Sequence, residues 1–276
     1  WGSTWYVIKF QLGSVDPLLS VSYRFGLAAL ILFIYTTIRR MDMRFSMKSH
    51  MRMALQGILL FGFNYWFVYL SEEFLTSGLV AITFSTLIFM NIFLSAIFLG
   101  TSIRKEVLIG GILGVSGTIL MFYQEIRATG LTEELTHSLL LCITGVFSAS
   151  MGNIVSAYNQ RKGLPVVQTT TYGMLYGAIV MFAIALIAGR DLVIVLSASY
   201  LLSLIYLVVF GSIIAFISYL TLIGKIGADK AAYVIVVLPV IALIISSIFE
   251  DYHITWLSLG GMLLIVAGNL LVIRKK

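Results

Sequence analysis

Apolar runs long enough to cross a bilayer recur along the whole chain, and no other feature limits its possible folds as strongly. A hydrocarbon core of about 30 Å takes ~20 residues of helix, whereas barrel strands read as alternating segments of about ten. The runs here are continuous, so the spans are helices, which satisfy every backbone polar group internally. Composition agrees: 60% of the 276 residues are hydrophobic and 11% charged, at a mean hydropathy of +1.02. Soluble domains carry about 25% charged residues.

Breaks at charged or turn-forming residues divide the chain into ten expected spans: 1–12, 17–38, 53–71, 76–99, 106–123, 138–159, 165–188, 199–222, 231–248 and 255–273. The first reads as a span lacking its upstream part; no charged flank or small-residue cleavage site marks it as a signal peptide. After the even-numbered spans come Arg39, Arg40, Arg44, Lys48, Arg52, Arg104, Lys105, Arg161, Lys162, Lys225, Lys230, Arg274, Lys275 and Lys276, against Arg127 and Arg190 on the other side. The cation-rich side is expected to be cytoplasmic, with both termini there and the protein multi-pass in the cytoplasmic (inner) membrane. Asp16, Glu72, Glu73, Glu125, Glu133, Glu134, Asp191, Glu250 and Asp251 gather on the opposite face.

The halves echo each other. Phe61-Gly62 answers Phe210-Gly211, Tyr69-Leu70 answers Tyr219-Leu220, Pro17 answers Pro165, and LIGGILGVSG answers SLGGMLLIVAG. Five spans per copy is an odd number, so the second copy crosses in the opposite sense, as an inverted repeat. The expectation is an all-α polytopic membrane protein of ten transmembrane helices in two inverted five-helix repeats, 1–126 and 138–276.

The net charge of +6 does not indicate nucleic acid, because no soluble domain gathers the cations on one surface. The single cysteine, Cys142, excludes an internal disulfide, and no Cys/His cluster suggests a metal; no cofactor is expected.

The segments WGSTWYVIK, PLLSVSYR (17–24), YLSEEFLTSGLVAITFSTL (69–87) and AIFLG (96–100), with the GG-containing fifth and tenth spans, make the chain similar to the EamA-type transporters of the drug/metabolite transporter superfamily. The resemblance implies ten helices, a central cavity lined by helices 1 to 4 and 6 to 9, and peripheral helices 5 and 10. It also implies a proline in the fourth and ninth spans. Met90 replaces the first, and Pro239 keeps the second and is the expected hinge. The glutamate the family carries after these spans is Thr101 in the first copy and Glu250 in the second.

No Asp or Glu falls within the middle of an expected span, and His50, His137 and His253 fall at span ends or in loops. A buried carboxylate relay is therefore not expected, which favours facilitated export or exchange over proton coupling. Neutral polar and aromatic residues at depth are the expected substrate contacts: Trp5, Asn64, Tyr65, Ser85, Asn91, Asn153, Tyr172, Tyr176 and Ser212. Asn amides turned to lipid are costly, which favours an inward position for Asn64, Asn91 and Asn153.

Lys9 and Arg24 are the two cations inside spans. Gly2, Trp5 and Lys9 share a helix face, and Lys9 can also snorkel to the interface. Arg24 lies about 10 Å into its span at 1.5 Å per residue, so it faces protein or water. It is expected to contact substrate or to join Lys9, Glu72 and Glu73 in an outer ion-pair gate, with a purely structural pair as the alternative. The expected function is secondary transport, by alternating access, of amino acids, related small metabolites or drugs, most simply as an exporter. The partners expected are that substrate and the lipid bilayer. A facilitator or a sensor and assembly protein remains the alternative; an enzyme would need a convergent nucleophile, acid or metal cluster at depth.

Overall fold

The computed structural model describes residues 1–103, 105–129, 132–231, 234–235, 238–250 and 252–273. Side chains of 124–129, 229–230 and 272–273 are not described, so the charged groups of Arg104, Glu125, Arg127, Lys230, Asp251 and Arg274–Lys276 lie outside the described part of the molecule.

Helices α1 (Thr4–Ile8), α2 (Pro17–Ile38), α3 (Met47–Ser71), α4 (Ser77–Leu99), α5 (Lys105–Thr129), α6 (Glu133–Arg161), α7 (Val166–Ile187), α8 (Ala198–Ile226), α9 (Leu238–Phe249) and α10 (Trp256–Ile273) occur in that order. A single turn, Ala228–Ala231, precedes α9, and no strand occurs among the described residues. Seven helices, α2 to α8, are long and apolar enough to cross a membrane; α9 and α10 are shorter apolar helices.

Local chemistry sets the boundaries. Pro17 opens α2 where its missing N–H costs nothing, and the Asp16 carboxylate accepts from Leu18 N. Ser46, Thr76, Thr132 and Ser197 accept backbone N–H groups at the starts of α3, α4, α6 and α8. These caps explain two departures from expectation. Helix α3 begins at Met47 and not at 53, and α6 at Glu133 and not at 138, because a capped polar turn extends the helix beyond its apolar run. Gly100 ends α4 in the left-handed region, at φ 70°. The ninth span, expected from 231, becomes a regular helix only at Leu238, with Pro239 buried in its first turn.

Inside α3 and α8 the hydrogen-bond ladder widens to π-helical turns at Ile58–Phe63 and Leu207–Ile214, the stretches carrying Phe61-Gly62 and Phe210-Gly211. Such insertions re-aim the side chains beyond them and concentrate at functional sites.

Helices at corresponding places in the two halves pack on each other: α2 on α7, α4 on α9 and α5 on α10. The α5–α10 seam is closed at backbone distance, because a Cβ on Gly117 would run into the Gly261 carbonyl oxygen. Small residues bring membrane helices together in this way. The outer surface is apolar; Leu30, Ile34 and Ile38 of α2 and Ile109, Ile112 and Ile119 of α5 are exposed. Only 33% of the apolar window of α5 is buried, against 61% for α4, which puts α5 at the rim of the bundle.

Candidate functional site

Three groups of polar side chains stand in and on either side of the central space. The middle layer is a cavity between α1, α3, α4, α6, α8 and α9, lined by Trp1, Thr4, Trp5, Leu60, Asn64, Tyr65, Val68, Phe84, Asn153, Phe216, Tyr219 and Leu238 among others. Its walls are aromatic. Trp1 meets Phe216 and Tyr219 edge-on at 4.9 and 5.1 Å, Trp5 leans on Phe84 at 5.5 Å, and Tyr65 meets Phe25 at 4.9 Å. The space open to water is about 40 Å³, room for a few waters and not for a solute of amino-acid size.

Two polar groups in the wall lack partners. Asn64 donates to the Leu60 carbonyl at 3.2 Å, while its carboxamide oxygen and that of Asn153 accept nothing, although both residues are buried. Unsatisfied buried acceptors cost about 1 to 3 kcal/mol each, and a ligand N–H that reaches them recovers that cost.

Arg24 sits behind the wall, fully buried. Its Nε donates to Ser212 Oγ at 2.9 Å, and its guanidinium lies 4.4 Å from the Tyr65 ring and 5.2 Å from that of Phe25. Neither terminal nitrogen, Nη1 or Nη2, makes a hydrogen bond of good geometry, although the guanidinium interacts with the Tyr65 and Tyr69 hydroxyls. Gly211, in the π-helical turn of α8, makes the space: a Cβ there would stand 3.0 Å from Nη2 and 3.0 Å from the Thr4 methyl. Arg24 thus stacks on Tyr65, which lines the same cavity as Asn64 and Asn153.

A second layer closes the cavity toward the cation-rich face. Asn91 of α4 donates to Tyr219 Oη and to the Ala228 carbonyl, both at 3.4 Å, and accepts from Ser150 Oγ at 2.7 Å and Asn153 Nδ2 at 3.5 Å. Beyond it is a second space of about 250 Å³ lined by Ser95, Thr101, Gln160, Arg161, Gly224 and Ala228. Tyr219 and Asn153 face the central cavity and Ala228 faces this one, so the Asn91 network is the partition between the two.

The third layer closes the acidic face. Lys9 Nζ donates to the backbone carbonyls of Glu72 and Leu75, both at 2.7 Å, and lies 3.7 Å from the Glu250 carboxylate. Glu250 in turn accepts from the backbone N–H and the hydroxyl of Ser77, capping α4 from the other half of the chain. These are not the expected partners. Lys9 meets the Glu72 carbonyl and not its carboxylate, Asp16 pairs with Arg190 at 3.2 Å, Glu73 is exposed, and Arg24 forms no salt bridge among the described residues.

Of the expected substrate contacts, Trp5, Asn64, Tyr65 and Asn153 line the central cavity; Arg24, Ser212 and Asn91 stand one layer behind it. Ser85 does not: it is buried and donates to its own helix at the Ile82 carbonyl. Tyr172 and Tyr176 are elsewhere. They donate to the Met43 carbonyl and pair with His50 Nδ1, where the segment after α2 folds back on α7. Trp1, Phe216 and Tyr219 escape sequence reasoning, because aromatic residues in apolar spans carry no sign of which face they occupy.

The sequence profile of the EamA-like transporter family matches residues 1–123 and again 136–274. The chain is 28% identical over 265 residues to the uncharacterized inner membrane transporter YedA of Escherichia coli (strain K12), covering 94% of this chain and 83% of YedA. It is 26% identical to the uncharacterized transporter YyaM of Bacillus subtilis (strain 168), over 89% of this chain and 81% of that one. It is 23% identical to the protein PagO of Salmonella typhimurium, over 96% and 86%. A crystal structure at 16% identity superposes on 98% of this chain and 92% of its own with a TM-score of 0.75, so the two share a fold.

Proposed function

This chain belongs to the EamA-like transporter family and is a membrane transporter; from that premise we propose that it carries small zwitterionic solutes of amino-acid type through its central cavity by alternating access. The observation that carries the reading is the pairing of opposite unused groups around one aromatic cavity. The Asn64 and Asn153 carboxamide oxygens accept from a solute ammonium, the Arg24 Nη groups donate to its carboxylate, and Trp1, Trp5 and Tyr219 enclose its apolar part. Arg24 comes within reach when Tyr65 turns aside, which makes the guanidinium a contact of the bound state.

The two matches to one family profile support an architecture of two inverted five-helix repeats, 1–126 and 138–276, and the charge distribution supports an outer acidic face with both termini in the cytoplasm. Opening of the Asn91 layer admits solute from the cytoplasmic side, and opening of the Lys9 layer releases it outside, so the direction is export. Pro239, at the start of α9 beside the cavity-lining Leu238, is the proposed pivot.

A thermal-stability screen of the purified protein tests the solute class, since a ligand that binds only the native state raises Tm by mass action. Amino acids should stabilise it more than the corresponding amines or the corresponding acids lacking the amine. Equal stabilisation by the amines alone would contradict the role given to Arg24.

A further inference from the structure

The sequence gives no reason to expect a carboxylate inside the bundle, and the structure contains one. Glu72, the residue after α3, is fully buried, and neither carboxylate oxygen has a hydrogen-bond partner. A lone carboxylate without water or partner is among the costliest groups to bury, and such a group takes up a proton instead. Its surroundings do not supply a dedicated countercharge. Lys9 spends its hydrogen bonds on the backbone carbonyls of Glu72 and Leu75 and stands next to Glu250, whose oxygens also hold Ser77. One ammonium is therefore shared by two carboxylates, and Arg24, the other cation within electrostatic reach, forms no salt bridge with Glu72. A proton on Glu72 removes the cost of burying a charge whose oxygens have no partner.

We infer that Glu72 is a proton-binding site on the acidic face, and that closing this face takes one proton from the outer water onto its carboxylate. The inference rests on the alternating-access reading above for which face opens. The titratable groups within electrostatic reach of Glu72 are Lys9, Glu250 and Arg24, with Tyr65 and Tyr69 of α3 and Cys142 of α6. Burial, and after it the Glu250 charge, holds the Glu72 carboxyl well above the ordinary carboxylate range, while Lys9 and Arg24 oppose the shift without cancelling it. In an open state water solvates the carboxylate and its affinity for protons falls. The closed state is therefore favoured at low pH and is lost as pH rises between the open-state and closed-state values.

Two measurements on the full-length chain decide it. Infrared titration of the purified protein should show a protonated carboxyl C=O stretch that disappears with rising pH, is missing in Glu72→Gln and persists in Glu73→Gln. In intact cells, a cysteine placed at the cavity wall by Val68→Cys should be labelled from outside by a membrane-impermeant reagent at a rate that, divided by the rate of an exposed loop cysteine at the same pH to remove thiol ionisation, rises up to about tenfold per pH unit within that window, the linkage of one proton. Glu72→Gln should make this ratio low and pH-independent, and exchanging sodium for choline should change nothing. An infrared band unchanged by Glu72→Gln overturns the proton site. Wild-type pH dependence in Glu72→Gln, or dependence on sodium, overturns its link to closure. Solute-induced stabilisation at fixed pH is unaffected by either result, so failure of the central-cavity reading shows separately.

Discussion

Arg24 of α2 and Ser212 of α8 meet at 2.9 Å inside the bundle, and this bond uses only one of the three guanidinium nitrogens. A structural cation in a protein interior has its donors satisfied, because an unpaired buried charge weakens the fold. Arg24→Leu should therefore keep Tm within a few degrees of the parent, about 1 kcal/mol or less, since an apolar replacement removes the uncompensated donors. Affinity for zwitterionic solutes should fall at least about tenfold, roughly one charge-assisted hydrogen bond. A large loss of Tm with unchanged solute affinity would make Arg24 structural.

The partition between the two cavities hangs on one amide. Asn91 joins α4 to α6, α8 and the turn at Ala228. Asn91→Leu removes these bonds, each worth about 1 kcal/mol, and leaves Ser150 Oγ without its acceptor. The Val68→Cys reporter in inverted membrane vesicles should then be labelled from the cytoplasmic side about tenfold faster or more. Unchanged labelling would place the inner barrier elsewhere.

The α5–α10 seam contributes no residue to the lining of either cavity. Gly117→Ala drives a methyl group against the Gly261 carbonyl, and the cost of such overpacking is about 1 to 3 kcal/mol. Tm should fall while solute affinity, measured below the transition, stays at the parent value. Loss of affinity without loss of stability would tie the rim helices to the binding site.

Much of this architecture is visible in the sequence because lipid imposes one rule on every residue of a span. The long helices and the inward position of Asn64, Asn91 and Asn153 derive from that rule. The places where it falls short are span ends, where capping and tertiary cover decide the outcome. Ser46 and Thr132 extend helices past their apolar runs, and Glu72 reads as a solvent-facing terminus yet is covered by groups from distant parts of the chain. Tyr172 and Tyr176 read as cavity residues from their depth, but the returning segment at Met43 and His50 claims their hydroxyls. The partner of Lys9, Glu250, comes from the other half of the chain, a pairing that spacing along one repeat cannot indicate.

Counterflow of a radiolabelled neutral amino acid in proteoliposomes tests the central claim most directly, with Asn153→Leu set beside the parent. Asn153 supplies one unused acceptor to the cavity, so the parent should accumulate label against an excess of internal unlabelled amino acid, and Asn153→Leu should do so at least about tenfold more slowly. Counterflow at parental rate in Asn153→Leu, or none by the parent with any zwitterion while cationic drugs exchange freely, would contradict the account.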